Sequence, residues 1–344
     1  MTTESFRWGI LAPGRIAHRF AQAVESIDGA RLQAVASRSM QRGQAFAQQH
    51  SVPVVHDSYE ALTRDPNVDA VYIASPHRFH HAQARLCLEA GKPVLLEKPF
   101  TVNAAEAADL IDLAQRKNLF LMEALWSRFL PVYGKVREWL EADSIGSLRL
   151  ISSAFCFQAE PDPSDRKFDP DLAGGALLDL GVYNIALSQW IVGENPKTVS
   201  AQAHLGPTGV DDLTAVTLVY PHDTIAQFTC SFLFEAINEI RIYGTKGRID
   251  VRAKLPEPTS AALVVGGKET IATLPFRRNG FEYQIEEVMR CVRAGRREST
   301  GMPLASTLAN METMDEIRRL IGLRYPFEER PAPGGTAHRP EARS

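Results

Sequence analysis

Residues Trp8–Phe20 read WGILAPGRIAHRF: an apolar strand, a turn of small residues, then the opening of a helix. A turn of this kind directs unpaired backbone N–H groups at an anion, and its dinucleotide-binding form carries G-x-G-x-x-G/A. The three positions are filled here by Ala12, Gly14 and Ala17. Gly14 lets backbone approach a pyrophosphate, and Ala17 is small enough for close helix–strand packing. Ala12 replaces the first glycine and Pro13 stiffens the turn, so the fingerprint is degenerate and takes its weight from the elements that succeed it along the chain.

Those elements alternate regularly. FRWGILA is a strand, with a helix over residues 14–27. RLQAVAS is the second strand, with a helix over 40–50. DAVYIAS and PVLLEK are further apolar strands flanking a helix over 80–90, and a helix over 104–117 leads to LFLME. Continuous apolar strands alternating with helices imply a parallel sheet covered on both faces, with right-handed crossovers and a ligand site at the carboxyl strand ends. The character changes after about Met122. SLRLISSAFCFQ, TVSAQAHL, LTAVTLVY, TIAQFTCSFLF and NEIRIYGTKGRIDV alternate polar and apolar residues between tight turns, the pattern of an antiparallel sheet. Helical patterns cover residues 177–192, 281–294 and 304–323. The expected division is residues 1–123, a dinucleotide-binding α/β domain; 124–330, an α+β domain for substrate and dimerisation; and 331–344, RPAPGGTAHRPEARS in part, a disordered tail without apolar residues.

Composition bounds the function. The chain of 344 residues carries net charge -3, which gives no electrostatic reason to expect nucleic acid or an anionic membrane. The N-terminus MTTESFRWGIL lacks the pattern of a secretory signal, and the most apolar stretch, GGALLDLGVYNIALSQWIVG, is interrupted by Asp179. Cys87, Cys156, Cys230 and Cys291 are scattered and have no metal-ligand spacing. The expectation is a cytoplasmic protein with reduced thiols and no metal.

The end of the second strand discriminates between cofactors. NAD enzymes place an acid there for the ribose 2′-hydroxyl. This chain has Ser37 and Arg38, with Arg42 one helical turn on. A guanidinium pairs with a 2′-phosphate, which a carboxylate would repel, so NADP is favoured over NAD. The next charged cluster is Glu97-Lys98-Pro99 at the end of PVLLEK. A lysine there is ordinarily a surface residue, and its meaning depends on what meets it. Asp179 and Tyr183 lie four apart on one helical face, after Gly174 and Gly175, which would permit close approach of the helix start to a ligand.

With GILAPGRIA, VYIASPHRFHHAQARLCLEAGKPVLLEKPF, EALWSRFLP, GGALLDLGVYNIALSQW and the C-terminal GFEYQIEEVMRCVRAG segment, the chain resembles the glucose–fructose oxidoreductase, inositol dehydrogenase and rhizopine-catabolism (Gfo/Idh/MocA) family over nearly its whole length. Within it, E-A-x-W-x-R-F and a tyrosine where many relatives have histidine resemble the dimeric dihydrodiol dehydrogenases and NADP-dependent D-xylose dehydrogenases. The resemblance implies a Rossmann domain followed by an open, mostly antiparallel sheet domain flanked by helices, whose sheet makes a homodimer. It implies Lys98 and Tyr183 as the catalytic pair, with His77, His80, Trp126 and Asp179 around the substrate. It implies Ala12, Gly14, Arg15, Ile16, Ser37, Arg38, Ser75, Glu97 and Lys98 at the cofactor, joined by Arg42 from the strand-end argument, and a cis Lys98–Pro99 bond.

The activity so implied is hydride transfer between NADP and a hydroxyl-bearing carbon of a cyclic sugar or diol. The alternatives are an NADPH-dependent keto-sugar reductase or a non-catalytic nucleotide or sugar sensor, which would not need an intact Lys–Tyr pair. A phenol near pKa 10 is a poor base at neutral pH, and an ammonium beside it would lower that value. Residues 158–175, rich in Asp, Pro and Gly, are expected to cover the pocket.

Overall fold

The computed structural model describes residues 5–252 and 255–328; the tail expected over residues 331–344 lies outside them. Six strands form the first sheet: β1 (Phe6–Leu11), β2 (Ala30–Ala36), β3 (Val54–His56), β4 (Ala70–Ile73), β5 (Val94–Glu97) and β6 (Leu121–Ala124). They are ordered β3-β2-β1-β4-β5-β6, and every pairing is parallel. The order reverses between β1 and β4, so the carboxyl ends of these two strands diverge and leave the crevice in which such sheets hold ligands. Five helices cover it: α1 (Arg15–Val24), α2 (Met40–Gln49), α3 (Tyr59–Arg64), α4 (His80–Glu89) and α5 (Ala104–Lys117). β3 and α3 are absent from the sequence reading. They are three and six residues long, too short for either periodicity to register.

After α6 (Pro131–Glu141), also unread in the sequence although Pro131 begins it, come β7 (Leu148–Cys156) and α7 (Val182–Val192). Then follow β8 (Thr198–Leu205), β9 (Asp211–Val219), β10 (Ile225–Ser231), β11 (Ile240–Gly244), β12 (Gly247–Arg252), β13 (Ser260–Val265) and β14 (Lys268–Thr273). The second sheet runs β14-β13-β12-β11-β7-β10-β9-β8. Its pairings are antiparallel except that of β7 with β10, which are joined through α7 and two strands rather than by a hairpin. The β13–β14 hairpin is a further addition to the sequence reading; Gly266 and Gly267 form its two-residue turn with φ of 57° and 77°, which favours glycine at both places.

α7 is buried on nearly every side, against β7 and α9 (Leu304–Ile321). The stretch Pro170–Val192 has the length and apolarity of a membrane span, yet 89% of its apolar window lies inside the protein, so its uniform apolarity is that of a core helix. α8 (Glu282–Arg293) packs on α1, and α9 on α5 and β6, so the last two helices lock the second sheet to the first. All four cysteines are buried and unpaired.

Candidate active site

The turn after β1 has the shape its sequence implies. Ala12, at the place of the missing glycine, takes a left-handed φ of 59°. A Cβ on Gly14 would lie 3.2 Å from the Ala74 carbonyl, so glycine keeps the two strand ends close. α1 then begins without a capping side chain and without an acid in its first turn, with Arg15 exposed and Ile16 half-buried beside it. Across the crevice, Ser75 carries a buried hydroxyl with no hydrogen-bond partner. An uncapped helix start, a tight glycine approach and an orphan hydroxyl are what a dinucleotide would complete. At the end of β2, Ser37 Oγ accepts from the Ser39 N–H at 3.3 Å, which shapes the turn and leaves Arg38 and Arg42 exposed. Arg38 lies over the Phe79 ring at 5.4 Å.

At the end of β5, the Lys98–Pro99 bond is cis. Lys98 Nζ donates to the Asp179 carbonyl at 2.6 Å and to Asp179 Oδ1 at 2.8 Å, and stands 5.0 Å from the centre of the Tyr183 ring. Asp179 sits in a widened π-turn, Leu177–Gly181, that runs directly into α7; such turns recur where function needs a displaced side chain. Burial opposes ionisation of Asp179, but the Lys98 and Arg166 cations outweigh it and hold the carboxyl well below the usual range. Arg166 comes from the 158–175 segment and donates to Asp179 Oδ2 at 3.2 Å. Loop and strand therefore meet on one carboxylate.

Tyr183 is buried, and its hydroxyl oxygen accepts from Trp126 Nε1 at 3.1 Å, which leaves the phenolic proton to donate. The sequence expectation of a lowered phenol pKa is corrected here: burial, and then the Glu97 carboxylate, push it well above 10. The physical reason is that the Lys98 ammonium is directed to Asp179 rather than to the phenol oxygen. Glu97 itself is buried and raised by that burial; it accepts from the Tyr72 hydroxyl at 2.6 Å and from the Lys98 N–H at 3.2 Å.

The two histidines separate. Burial lowers His77 to about 3 despite Asp179, and its Nδ1 faces the Ala173 carbonyl at 3.0 Å. A neutral ring donating there carries a lone pair on Nε2, which lies 3.8 Å from Asp179 Oδ1. His80, expected in the pocket, is fully buried, and its ring nitrogens meet the Pro99 carbonyl at 2.8 Å and the Ser75 carbonyl at 2.9 Å. Burial lowers its pKa to about 4, so the neutral ring donates to one of these carbonyls, and both nitrogens face backbone rather than the pocket.

Gly174 and Gly175 likewise serve the protein rather than a ligand. A Cβ on Gly174 would be 2.7 Å from the Lys167 carbonyl, and one on Gly175 (φ 120°) 2.2 Å from Asp211 Oδ1. Asp211 Oδ2 in turn accepts from the Leu177 N–H at 2.7 Å and fixes the start of the π-turn.

Sequence reasoning missed Arg166, Arg19 and the aromatic run beside Tyr183. Arg19 stands over the Trp126 ring at 4.9 Å and ties α1 to the second half through Glu257 and the Asn279 carbonyl. Phe155 meets Tyr183 edge-on at 5.7 Å, and contacts continue through Phe157 and Phe232 to Phe168. The spacing by two of Phe155, in β7, and Phe157, just past its end, was the available signal; nothing local marks Arg166.

Two family models match the chain: the oxidoreductase family with an NAD-binding Rossmann fold over residues 6–125, and the GFO/IDH/MocA C-terminal domain over residues 133–250. The chain belongs to the Gfo/Idh/MocA family. It is an oxidoreductase acting on CH–OH groups, with a Rossmann half for a nicotinamide cofactor. It is similar to the trans-1,2-dihydrobenzene-1,2-diol dehydrogenase of Mus musculus, 38% identical over 337 residues, 95% of this chain and 100% of that protein. The Homo sapiens enzyme of the same name is 36% identical with the same coverage. Among solved structures, a 3-ketoreductase from Actinomadura kijaniata in complex with NADP and TDP-benzene is 26% identical, with a TM-score of 0.84 over 92% of this chain and 98% of that one. An aldose-aldose oxidoreductase from Caulobacter crescentus, 22% identical with a TM-score of 0.85 over 92% of this chain and 97% of that one, shares the fold.

Proposed function

We propose that this protein is an NADP-dependent dehydrogenase of a cyclic diol or sugar, with Tyr183 as general acid–base and Lys98 as its electrostatic partner. The observation that carries the reading is the convergence of Lys98, Asp179, Tyr183 and Trp126 beside the strand-end crevice. When bound, the cofactor exchanges hydride at the nicotinamide ring. Lys98, already fixed by Asp179, orients the substrate oxygen and offsets the negative charge that develops on it. Tyr183 gives its proton to that oxygen in reduction and receives it in oxidation. His77 Nε2 accepts from a neighbouring substrate hydroxyl, and Trp126 and the Phe155–Phe157 wall pack on the ring.

That wall supports a substrate with an apolar face, as the names of the dihydrodiol dehydrogenase relatives suggest, over one hydroxylated all round. Support for NADP comes from Arg38 and Arg42 at the end of β2 and from the NADP complex of the similar 3-ketoreductase. A reductase of cyclic ketones is the second reading, favoured by a phenol that is protonated at neutral pH. A sensor role has no use for the Lys98–Tyr183 geometry. We further propose a homodimer through the second sheet, tested by light scattering.

The test is a panel of trans-dihydrodiols and aldoses offered with NADP and with NAD, monitored by absorbance of the reduced cofactor, with Tyr183→Phe as control. Turnover with NADP that is lost in the variant supports the reading. Turnover that survives the change removes Tyr183 from it, and preference for NAD removes the Arg38 argument.

A further inference from the structure

Arg128, the arginine of E-A-x-W-x-R-F, takes no part in the site described. It is largely buried. Among the described residues its guanidinium makes one hydrogen bond, 3.2 Å from Nη1 to the Met302 sulfur, and its Nε has no partner. The carboxylate that acts on it, Glu123, already accepts from the Phe100 N–H and the Thr307 hydroxyl. A buried guanidinium facing a thioether is short of an anion, since such a charge is held at low cost only when paired and hydrogen-bonded.

Arg128 opens on a cavity of about 180 Å³ between α6, α7 and α9. Arg137 lines it from α6; its guanidinium rests on the Trp190 ring at 4.1 Å and donates to the Trp190 carbonyl at 3.1 Å, so its orientation is fixed. From α9 come Ser306, in the first turn, and Asn310, which is 2% exposed and whose Nδ2 has no partner. From α7 comes Gln189, 8% exposed, whose Nε2 donates to Thr313 Oγ1 at 3.3 Å and to Asn195 Oδ1 at 3.4 Å, so its N–H groups are spent within the protein. Glu194 stands half-exposed at the rim, facing His222 at 3.6 Å. The space equals about six waters, enough for one small oxyanion and part of its shell.

We propose that this cavity is a binding site for a small oxyanion, a phosphate or a carboxylate, held between the guanidinium groups of Arg128 and Arg137 and the amide Nδ2 of Asn310. It is separate from the cofactor turn and from the Lys98–Tyr183 site. It is mechanically joined to the latter: Arg128 shares a short 3-10 turn, Trp126–Phe129, with Trp126, and Arg137 is held by Trp190 of α7, the helix that carries Tyr183. An occupant therefore grips both carriers of the Trp126–Tyr183 hydrogen bond and is expected to change turnover.

The test is calorimetric titration of the full chain with inorganic phosphate, and separately with formate, in saturating nicotinamide dinucleotide so that the cofactor's own phosphate positions are filled. Saturable binding of either anion is expected, at least tenfold weaker in Arg137→Gln and in Asn310→Leu and unchanged in Arg38→Ala. Which anion binds tells phosphate from carboxylate. Melting temperatures identify a variant that has lost its fold, and the other then decides. Absence of saturable binding by both anions overturns the proposal. So does binding that neither cavity variant weakens, or that Arg38→Ala abolishes.

Discussion

The indole N–H of Trp126 points at the hydroxyl oxygen of Tyr183 from 3.1 Å, and Arg19 lies over the face of the same indole at 4.9 Å. A tyrosine whose oxygen is already an acceptor keeps its own proton available in one direction. Replacing Trp126 by Phe keeps an aromatic ring beside Phe281 and removes that restraint, together with part of the indole surface under Arg19. The expected result is a fall of about tenfold in kcat, against about 10²–10⁴ for Tyr183→Phe, whose proton is lost altogether. Steady-state rates of the two variants side by side check this; equal losses would mean that Trp126 does more than orient.

The pH dependence of the two directions should differ. Burial and Glu97 hold the Tyr183 phenol well above its ordinary value, so the proton donor is fully present through neutral and moderately alkaline pH, and its conjugate base is scarce. Reduction should be flat from about pH 6 to about pH 9 in the group's contribution, while oxidation should climb with pH over the same range. Initial rates in both directions, with the cofactor saturating, measure it. An oxidation rate that levels off near neutrality would show that the phenol is lowered in the working complex.

Asp179 is the junction of Lys98 and Arg166. Its folded pKa is depressed, so the stability it contributes is present above the unfolded carboxylate value and disappears as pH falls towards the folded value. Asp179→Ala leaves a buried ammonium without its partner and should cost about 3–5 kcal/mol at neutral pH. Urea denaturation at about pH 7 and about pH 3, below the unfolded carboxylate value, should show that difference shrinking at the lower pH.

Two other buried carboxyls act with the opposite sign. Burial raises Glu123 and Asp211 to about 7, so each contributes stability that is complete below its unfolded value and is lost as pH rises through about 7. Asp211→Asn keeps an acceptor for the Leu177 N–H and should flatten the decline in urea midpoint between about pH 5 and about pH 8. An unchanged slope would remove Asp211 from the account.

Arg166→Gln should loosen the 158–175 segment from Asp179 without touching the phenol. The Michaelis constant for substrate is expected to rise severalfold with kcat nearly kept, since the change removes binding rather than transition-state stabilisation. A drop in kcat with an unaltered Michaelis constant would instead place Arg166 in the chemistry.

The parallel sheet and the cofactor turn were legible because each rests on local rules, whereas a lysine at a strand end takes its meaning only from what meets it. A strand buried on both faces is apolar throughout, a helix start near a phosphate needs small residues, and both signals fit within a dozen positions. Ala12 shows the margin of such reading: a missing glycine was tolerable because alanine accepts φ 59° at one place in a turn. α6 was missed because its amphipathic pattern comes directly after the E-A-x-W-x-R-F motif, and β3 because three residues carry no periodicity.

By itself the sequence determined the layer architecture and the cofactor turn, since these rest on patterns along the chain, while the roles expected of Lys98, Asp179 and Tyr183 came from the family resemblance. Only the tertiary structure decided how they are used. It directed Lys98 to Asp179 instead of the phenol, withdrew His80 between two carbonyls, and brought Arg166 to the same carboxylate from a loop with no signature. The reason is that a side chain's partners and its burial come from residues far away in the sequence. For a charged or titratable group, those two things set its energy, and hence what it can do.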